Sequence, residues 1–238
     1  MKKVKLVLLV IVIVLFSGNC FAGGSVQFHM EVDRDPGNQK VFTLTVDHFS
    51  KWDYGKNYFF LDLAGKDEFK TEAESMYFEY HTYLSVGKIF GIHVPIGFIK
   101  ESFIAGQYND SDKDVFGRVF LWGLSADLDL WLDMLSFSAY LRDQIGQDDS
   151  YHFTLKWCEN FEVYGLKFSQ PGFADYWKSD SGSVFISEPQ IRLKMSSFFP
   201  KGFLSQSAIG SEVEITHDFF GSRYGWEINP TVFWMFEF

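Results

Sequence analysis

The chain has 238 residues, with 31 acidic against 21 basic side chains, and a net charge of −10 that argues against a nucleic-acid surface and a polybasic membrane patch. Phe, Trp and Tyr make up 19% of it while its mean hydropathy stays near neutral, so many rings must face something other than water. Two cysteines, Cys20 and Cys158, rule out a disulfide-stapled scaffold, and the length suffices for one large domain without staples.

Lys2, Lys3 and Lys5 precede an unbroken apolar run from Leu6 to Phe16, and Ser17-Gly18-Asn19-Cys20-Phe21-Ala22 follows. This pattern predicts a secretory signal peptide over 1–22, because the run is shorter than the ~20 residues of a spanning helix. Cys20 and Ala22 supply the small-x-small cleavage pattern. Lipidation at Cys20 is disfavoured by Asn19, which stands where a small residue is needed. Cleavage after Ala22 leaves a mature chain of 23–238 with Cys158 as its one cysteine.

No linker, low-complexity tract or repeat of solenoid length marks a second domain. Instead, segments of alternating polarity recur between clusters of Gly, Asp, Asn, Ser and Lys. About twelve are countable, an even number that suits a bacterial barrel. In chain order they run Val26 to Asp33, Lys40 to Phe49, Asn57 to Leu63, Ser75 to Ser85, Ile92 to Phe103 and Val115 to Leu124. The second half continues with Leu130 to Arg142, Tyr151 to Cys158, Phe161 to Ser169, Val184 to Ser196, Ile209 to Phe219 and Trp226 to Phe238. In the last, Trp226, Ile228, Pro230, Val232, Trp234, Phe236 and Phe238 share one face, opposite Glu227, Asn229, Thr231 and Glu237. The expected fold is therefore all-β: a transmembrane, antiparallel, up-and-down β-barrel of about twelve strands, with lipid outside and a polar lumen. A water-soluble sandwich would turn the same apolar faces inward.

With the apolar faces set outward, strand parity assigns the lumen. Asp47, Tyr58, Phe60, Asp62, Tyr77, Glu79, His81 and Tyr83 point in from the second to fourth segments, joined by Glu31 from the first and Glu212, Glu214 and Glu227 from the last two. Arg118, Arg142, Lys156, Lys167, Arg192 and Lys194 point in from the sixth to tenth. Closure would then set an acidic wall against a basic one. Whether those walls touch and plug the lumen, or leave a passage, depends on barrel radius and inward loops. The candidate lining and binding residues are Asp47, Phe60, Asp62, Tyr77, Glu79, Arg118, Arg142, Lys156, Arg192, Lys194, Glu212 and Glu214.

The stretch Trp52-Asp53-Tyr54-Gly55-Lys56-Asn57-Tyr58-Phe59-Phe60-Leu61-Asp62 resembles the Trp-x-Tyr-Gly-x-x-Phe-Phe-Phe-x-Asp motif of Tsx-like outer-membrane proteins, the nucleoside-specific channel superfamily. Ile209 to Ile215 and the closing Asn229-Pro230-Thr231 are similar to the same group, nearest a branch without an assigned substrate. The resemblance implies a channel-like barrel of twelve strands and suggests nucleosides; Lys56 stands where that group more often has an acidic residue. Read locally, Gly55 and Asn57 suit a turn, Trp52 and Tyr54 a boundary girdle, and Asp62 the lumen.

Trp234, Phe236 and a terminal Phe238 resemble the ending by which outer-membrane barrels engage their assembly machinery. No Gly-x-Ser-x-Gly elbow, His-Glu-x-x-His pair, Walker loop or dinucleotide fingerprint occurs. His48 and His217 fit outer-face positions without a spaced Ser partner, and His29, His81 and His152 are scattered singly over different strands. The acidic run from Asp110 to Asp114 reads as a solvated loop. The expectation is a non-enzymatic bacterial outer-membrane channel for small polar solutes, without cofactor or metal. Its partners would be lipid, lipopolysaccharide, the assembly machinery and a small solute. The alternative is a non-conducting surface barrel acting as an adhesin, phage receptor or envelope-integrity protein.

Overall fold

The computed structural model describes residues 21–31, 41–66, 75–92, 97–112, 117–180, 182–219 and 225–238. Its strands are β1 (Phe21–Glu31), β2 (Val41–Trp52), β3 (Gly55–Lys66), β4 (Ser75–Ser85), β5 (Ile99–Ser111), β6 (Val119–Leu128), β7 (Met134–Gln144), β8 (Ser150–Val163), β9 (Leu166–Ser179), β10 (Gly182–Ser187), β11 (Gln190–Lys194), β12 (Ser207–His217) and β13 (Trp226–Glu237). Each pairs antiparallel with its neighbours, and β13 returns to pair with β1, so the sheet closes. At the seam Gly24 and Phe238 exchange two backbone hydrogen bonds, of 3.0 and 2.9 Å.

Both β10 and β11 lie between β9 and β12 in one unshifted register: Ser187 faces Ala174 and Ile215, while Arg192 faces Ser169 and Gln190 faces Glu212. They are two halves of a single wall strand, which makes the barrel twelve-stranded. The interruption is Glu188-Pro189. Pro171 on β9 lies opposite Cys158, the Pro189 carbonyl accepts from the Val213 N–H, and Pro230 on β13 lies opposite Val213. Three residues without an N–H donor therefore stand at one height across four adjacent wall strands.

The polarity of this barrel is inverted relative to a water-soluble fold. Trp122, Leu124 and Ile228 are 60–65% exposed on the outer face, whereas Gln27, His81, Gln107, Asn109 and His152 are buried inside. Apolar side chains outside and polar ones within are what lipid on one side and an aqueous or hydrogen-bonded interior on the other require, and they exclude the sandwich. At strand lengths of mostly 10 to 14 residues the wall also has the span a tilted membrane strand needs.

Several boundaries differ from the sequence expectation. β4 runs over the expected residues, but the fifth strand is Ile99–Ser111 rather than Ile92 to Phe103. Its second half, Gly106-Gln107-Tyr108-Asn109-Asp110, reads as turn residues, yet Gln107 and Asn109 are inward amides that find partners in the lumen. Asp110 and Ser111 thus belong to a strand rather than to the expected loop; 113 and 114 lie outside the described residues. Phe161 to Val163 close β8, and β9 continues through Pro171 to Ser179. The signal peptide expected over 1–22 falls mainly on 1–20, outside the described residues.

The β2–β3 hairpin turns on Asp53-Tyr54, with Trp52 paired to Gly55, so Gly55 opens a strand instead of making the turn. It must be glycine for another reason. A Cβ there would sit 2.0 Å from the backbone oxygen of Tyr83, inside the β3–β4 ladder. Helix α1 (Val86–Phe90) follows β4, with the Ser85 side chain accepting from the Lys88 N–H at 3.2 Å and Gly91 closing it in the left-handed region.

Candidate luminal binding cavity

The interior is divided. Tyr83, Phe103, Ala105, Val119, Leu121 and Tyr140 pack into a buried apolar cluster that fills the side of the lumen bounded by β4 to β7. A second cluster of Trp177, Val184 and Ile186, backed by Phe173 and Phe219, fills part of the β9–β10 side. Between them remains a cavity of about 470 Å³, within the range of small-molecule sites. Residues from β1 to β4, β7 to β9, the Glu188 break and β11 to β13 line it.

Its acidic members are held by neutral donors. Ser25 and Gln27 donate to Asp47, and Thr45 donates to Asp62. Glu79 accepts from the Tyr77 hydroxyl, from Gln107 at 3.1 Å and from Asn109 at 3.0 Å. Gln190 donates to Glu212, and Asn229 to Glu214 at 2.8 Å. Each donor stands two residues along the same strand, or directly or diagonally across on the neighbouring one, which is why parity delivers donor and acceptor to one face together.

The cations reach across the lumen. Lys156 on β8 lies 3.2 Å from His81 Nδ1 on β4, and His81 Nε2 lies 2.8 Å from Glu79. The neutral imidazole fits this geometry: Nδ1 accepts from the ammonium and Nε2–H donates to the carboxylate. The same order recurs beside it, with Arg142 Nη1 3.2 Å from His152 Nδ1 and His152 Nε2 3.4 Å from Asp175. Lys156 also lies over the Tyr58 ring, 5.5 Å from its centroid, while the Arg142 guanidinium lies 4.7 Å from the centroid of Trp177. Lys56 on β3 crosses to Asp127 on β6 at 2.6 Å.

The expected lining residues distribute unevenly. Asp47, Phe60, Asp62, Glu79, Lys156, Arg192, Glu212 and Glu214 line the cavity. Tyr77 and Arg142 face the interior but are taken up in the networks just described, away from the cavity surface. Lys194 lies at the end of β11 nearer the chain termini, donating to Asn160 at 3.1 Å. Arg118 is a correction. It precedes β6, is exposed, and is out of phase with the inward Val119 and Leu121, because Phe120, Trp122 and Leu124 take the lipid face. With apolar residues on both faces of that strand, polarity could not fix its phase.

The two charged walls are also less segregated than parity suggested. Lys56 lies among the acidic strands, and Asp127, Asp175 and Glu188 lie among the basic ones. Lys56, Asp127 and Asp175 lie beyond the alternating stretches of the third, sixth and ninth segments, in parts of β3, β6 and β9 that parity did not reach. Glu188 was legible: it has the inward parity of Arg192 and falls inside the tenth segment.

A closed twelve-stranded antiparallel barrel with an apolar exterior and a polar cavity within is the fold seen in porins. The chain belongs to the family described as "Domain of unknown function (DUF5020)", whose model matches residues 24–238. No curated protein sequence matches it. Among solved structures it is similar to the KdgM porin, at a TM-score of 0.50 and 9% identity over 90% of this chain and 99% of that one. The KdgM porin in complex with disordered oligogalacturonate gives 0.49 with the same identity and coverage. Pseudomonas aeruginosa OccK11 (OpdR) gives 0.42 at 8% identity over 91% of this chain and 95% of that one.

Proposed function

We propose that this protein is a bacterial outer-membrane channel for passive uptake of small polar solutes, made as a precursor cleaved after Ala22. The observation that carries the reading is the cavity: about 470 Å³ inside a closed wall, with carboxylates, two ammonium groups, a guanidinium and the rings of Tyr58 and Phe60 turned into one space. Such a lining hydrogen-bonds and stacks on a solute instead of sieving by size alone. The apolar exterior supports a position in lipid, and the Trp234-Met235-Phe236-Glu237-Phe238 ending supports delivery by the barrel-assembly machinery, with lipopolysaccharide as the outer neighbour.

Nucleosides are the named solutes to test first, on the strength of the Trp52 to Asp62 motif, whose Phe60 and Asp62 place a ring beside a carboxylate at the cavity. Acidic sugars, of the kind named with the KdgM porin, fit this lining poorly because carboxylates outnumber cations in it. The test is planar-bilayer conductance of the purified protein with and without added nucleosides. Stepwise current that nucleosides reduce is the expected result. A folded barrel that carries no current removes the channel reading and favours a surface barrel acting through its loops, a role the apolar filling between β4 and β7 would equally serve.

A further inference from the structure

We infer that the lumen is cation-selective and that its preferred solutes are small organic cations carrying a ring, an inference that rests on the channel reading and names its solute class. Eight carboxylates line the cavity against three cations, Lys56, Lys156 and Arg192. Lys56 is neutralised by Asp127, which its ammonium meets with both carboxylate oxygens at 2.6 and 2.7 Å. That leaves Lys156 and Arg192, whose hydrogen bonds go to neutral groups: His81 and Tyr83 for the first, Gln190 for the second.

Four of these carboxylates are likewise held by neutral donors. Asp47, Asp62, Glu212 and Glu214 are hydrogen-bonded by hydroxyl and amide donors, which orient the charge without cancelling it. Glu188, set inward where the wall strand is interrupted, lines the same cavity as Glu212 and Glu214. A low-dielectric wall focuses this excess of negative charge into the cavity, where it concentrates cations and repels anions. The rings add a second preference of the same sign. Tyr58 and Tyr83 already hold the Lys156 ammonium over their rings, 5.5 and 6.0 Å from the centroids, and Phe60 adds to the same cavity a ring with the same attraction for positive charge.

The experiment is the reversal potential of the full-length mature barrel in a tenfold KCl gradient, followed by block with benzyltrimethylammonium and, separately, with benzenesulfonate. Potassium should be preferred over chloride by roughly tenfold, the low end of what charge focusing gives. Benzyltrimethylammonium should block at lower concentration than benzenesulfonate. Replacing Glu188 and Glu212 by Gln should lower the potassium preference several-fold in protein that still shows the heat-modifiable mobility of a folded barrel, with Asp47→Asn as the second variant if the pair fails to assemble. A wild-type current that is unselective or favours chloride overturns the inference and leaves the channel reading standing. Selectivity untouched in folded variants overturns the assignment to these carboxylates. Absence of any current overturns the channel reading, and the inference with it.

Discussion

Leu155 and Lys156 are neighbours on β8 with opposite solvents. Leu155 is 37% exposed on the outer face, whereas the Lys156 ammonium ends beside His81 and Tyr83 inside. Leu155→Lys places a charge in the hydrocarbon near mid-strand, which costs about 2–4 kcal/mol at a bilayer midplane, so folded protein in the outer membrane should fall sharply. Lys156→Glu should assemble normally and shift ion selectivity further toward cations. Cysteine scanning checks the same contrast: a thiol at 156 should react with an aqueous reagent entering the lumen, and one at 155 should not. The reverse pattern would mean the strand is out of phase by one residue. Phase was readable in β8 because Leu, Phe and Tyr alternate there with Lys, Thr and His; in β6 the run Val119-Phe120-Leu121-Trp122 offers no such contrast, and Arg118 was misplaced for that reason.

Among the strands, β13 carries the chemistry most directly legible in sequence. It pairs with β12 over its whole length and with β1 through the seam, and Phe236 stacks on Phe203 with ring centroids 4.3 Å apart. The terminal Phe238 shares two backbone hydrogen bonds with Gly24, so the last residue helps close the barrel as well as ending the aromatic signal. Deleting Phe238 should lower the yield of heat-modifiable outer-membrane protein while export to the periplasm continues. Normal amounts of folded barrel after the deletion would show that the ending is dispensable. β5 is the counter-case. Its Gln107 and Asn109 carry turn-like propensity, and only the donors required by Glu79 from across the ladder explain why they lie in a strand. Local pattern therefore located strands wherever one face was apolar, and lost them where the inward face was assigned by partners on other strands.

For the whole molecule, strand number and closure followed from counting alternating segments, because lipid outside and a polar lumen inside impose the period of two and bacterial single-chain barrels have an even count. The shape of the lumen did not follow, since side chains as far apart in sequence as Lys56 and Asp127, or His81 and Lys156, meet only through curvature. The filling of the β4–β7 side makes a distinct prediction. Phe103 is 2% exposed at the centre of that cluster, and Phe103→Ala should destabilise the barrel by about 3–5 kcal/mol while widening the aqueous space. Single-channel recording should show a larger conductance in the protein that folds; an unchanged value would place the ion path wholly on the opposite side. The line formed by Pro171, Pro189 and Pro230 bears on the mechanics of the wall. Among the described strands the prolines fall along this arc alone, where three rungs lack a donor beside Gly172 and Glu188, which both border the cavity. Lateral pressure from the surrounding lipid would be taken up by flattening there, so the compliance of the barrel is concentrated next to the space in which a solute would rest.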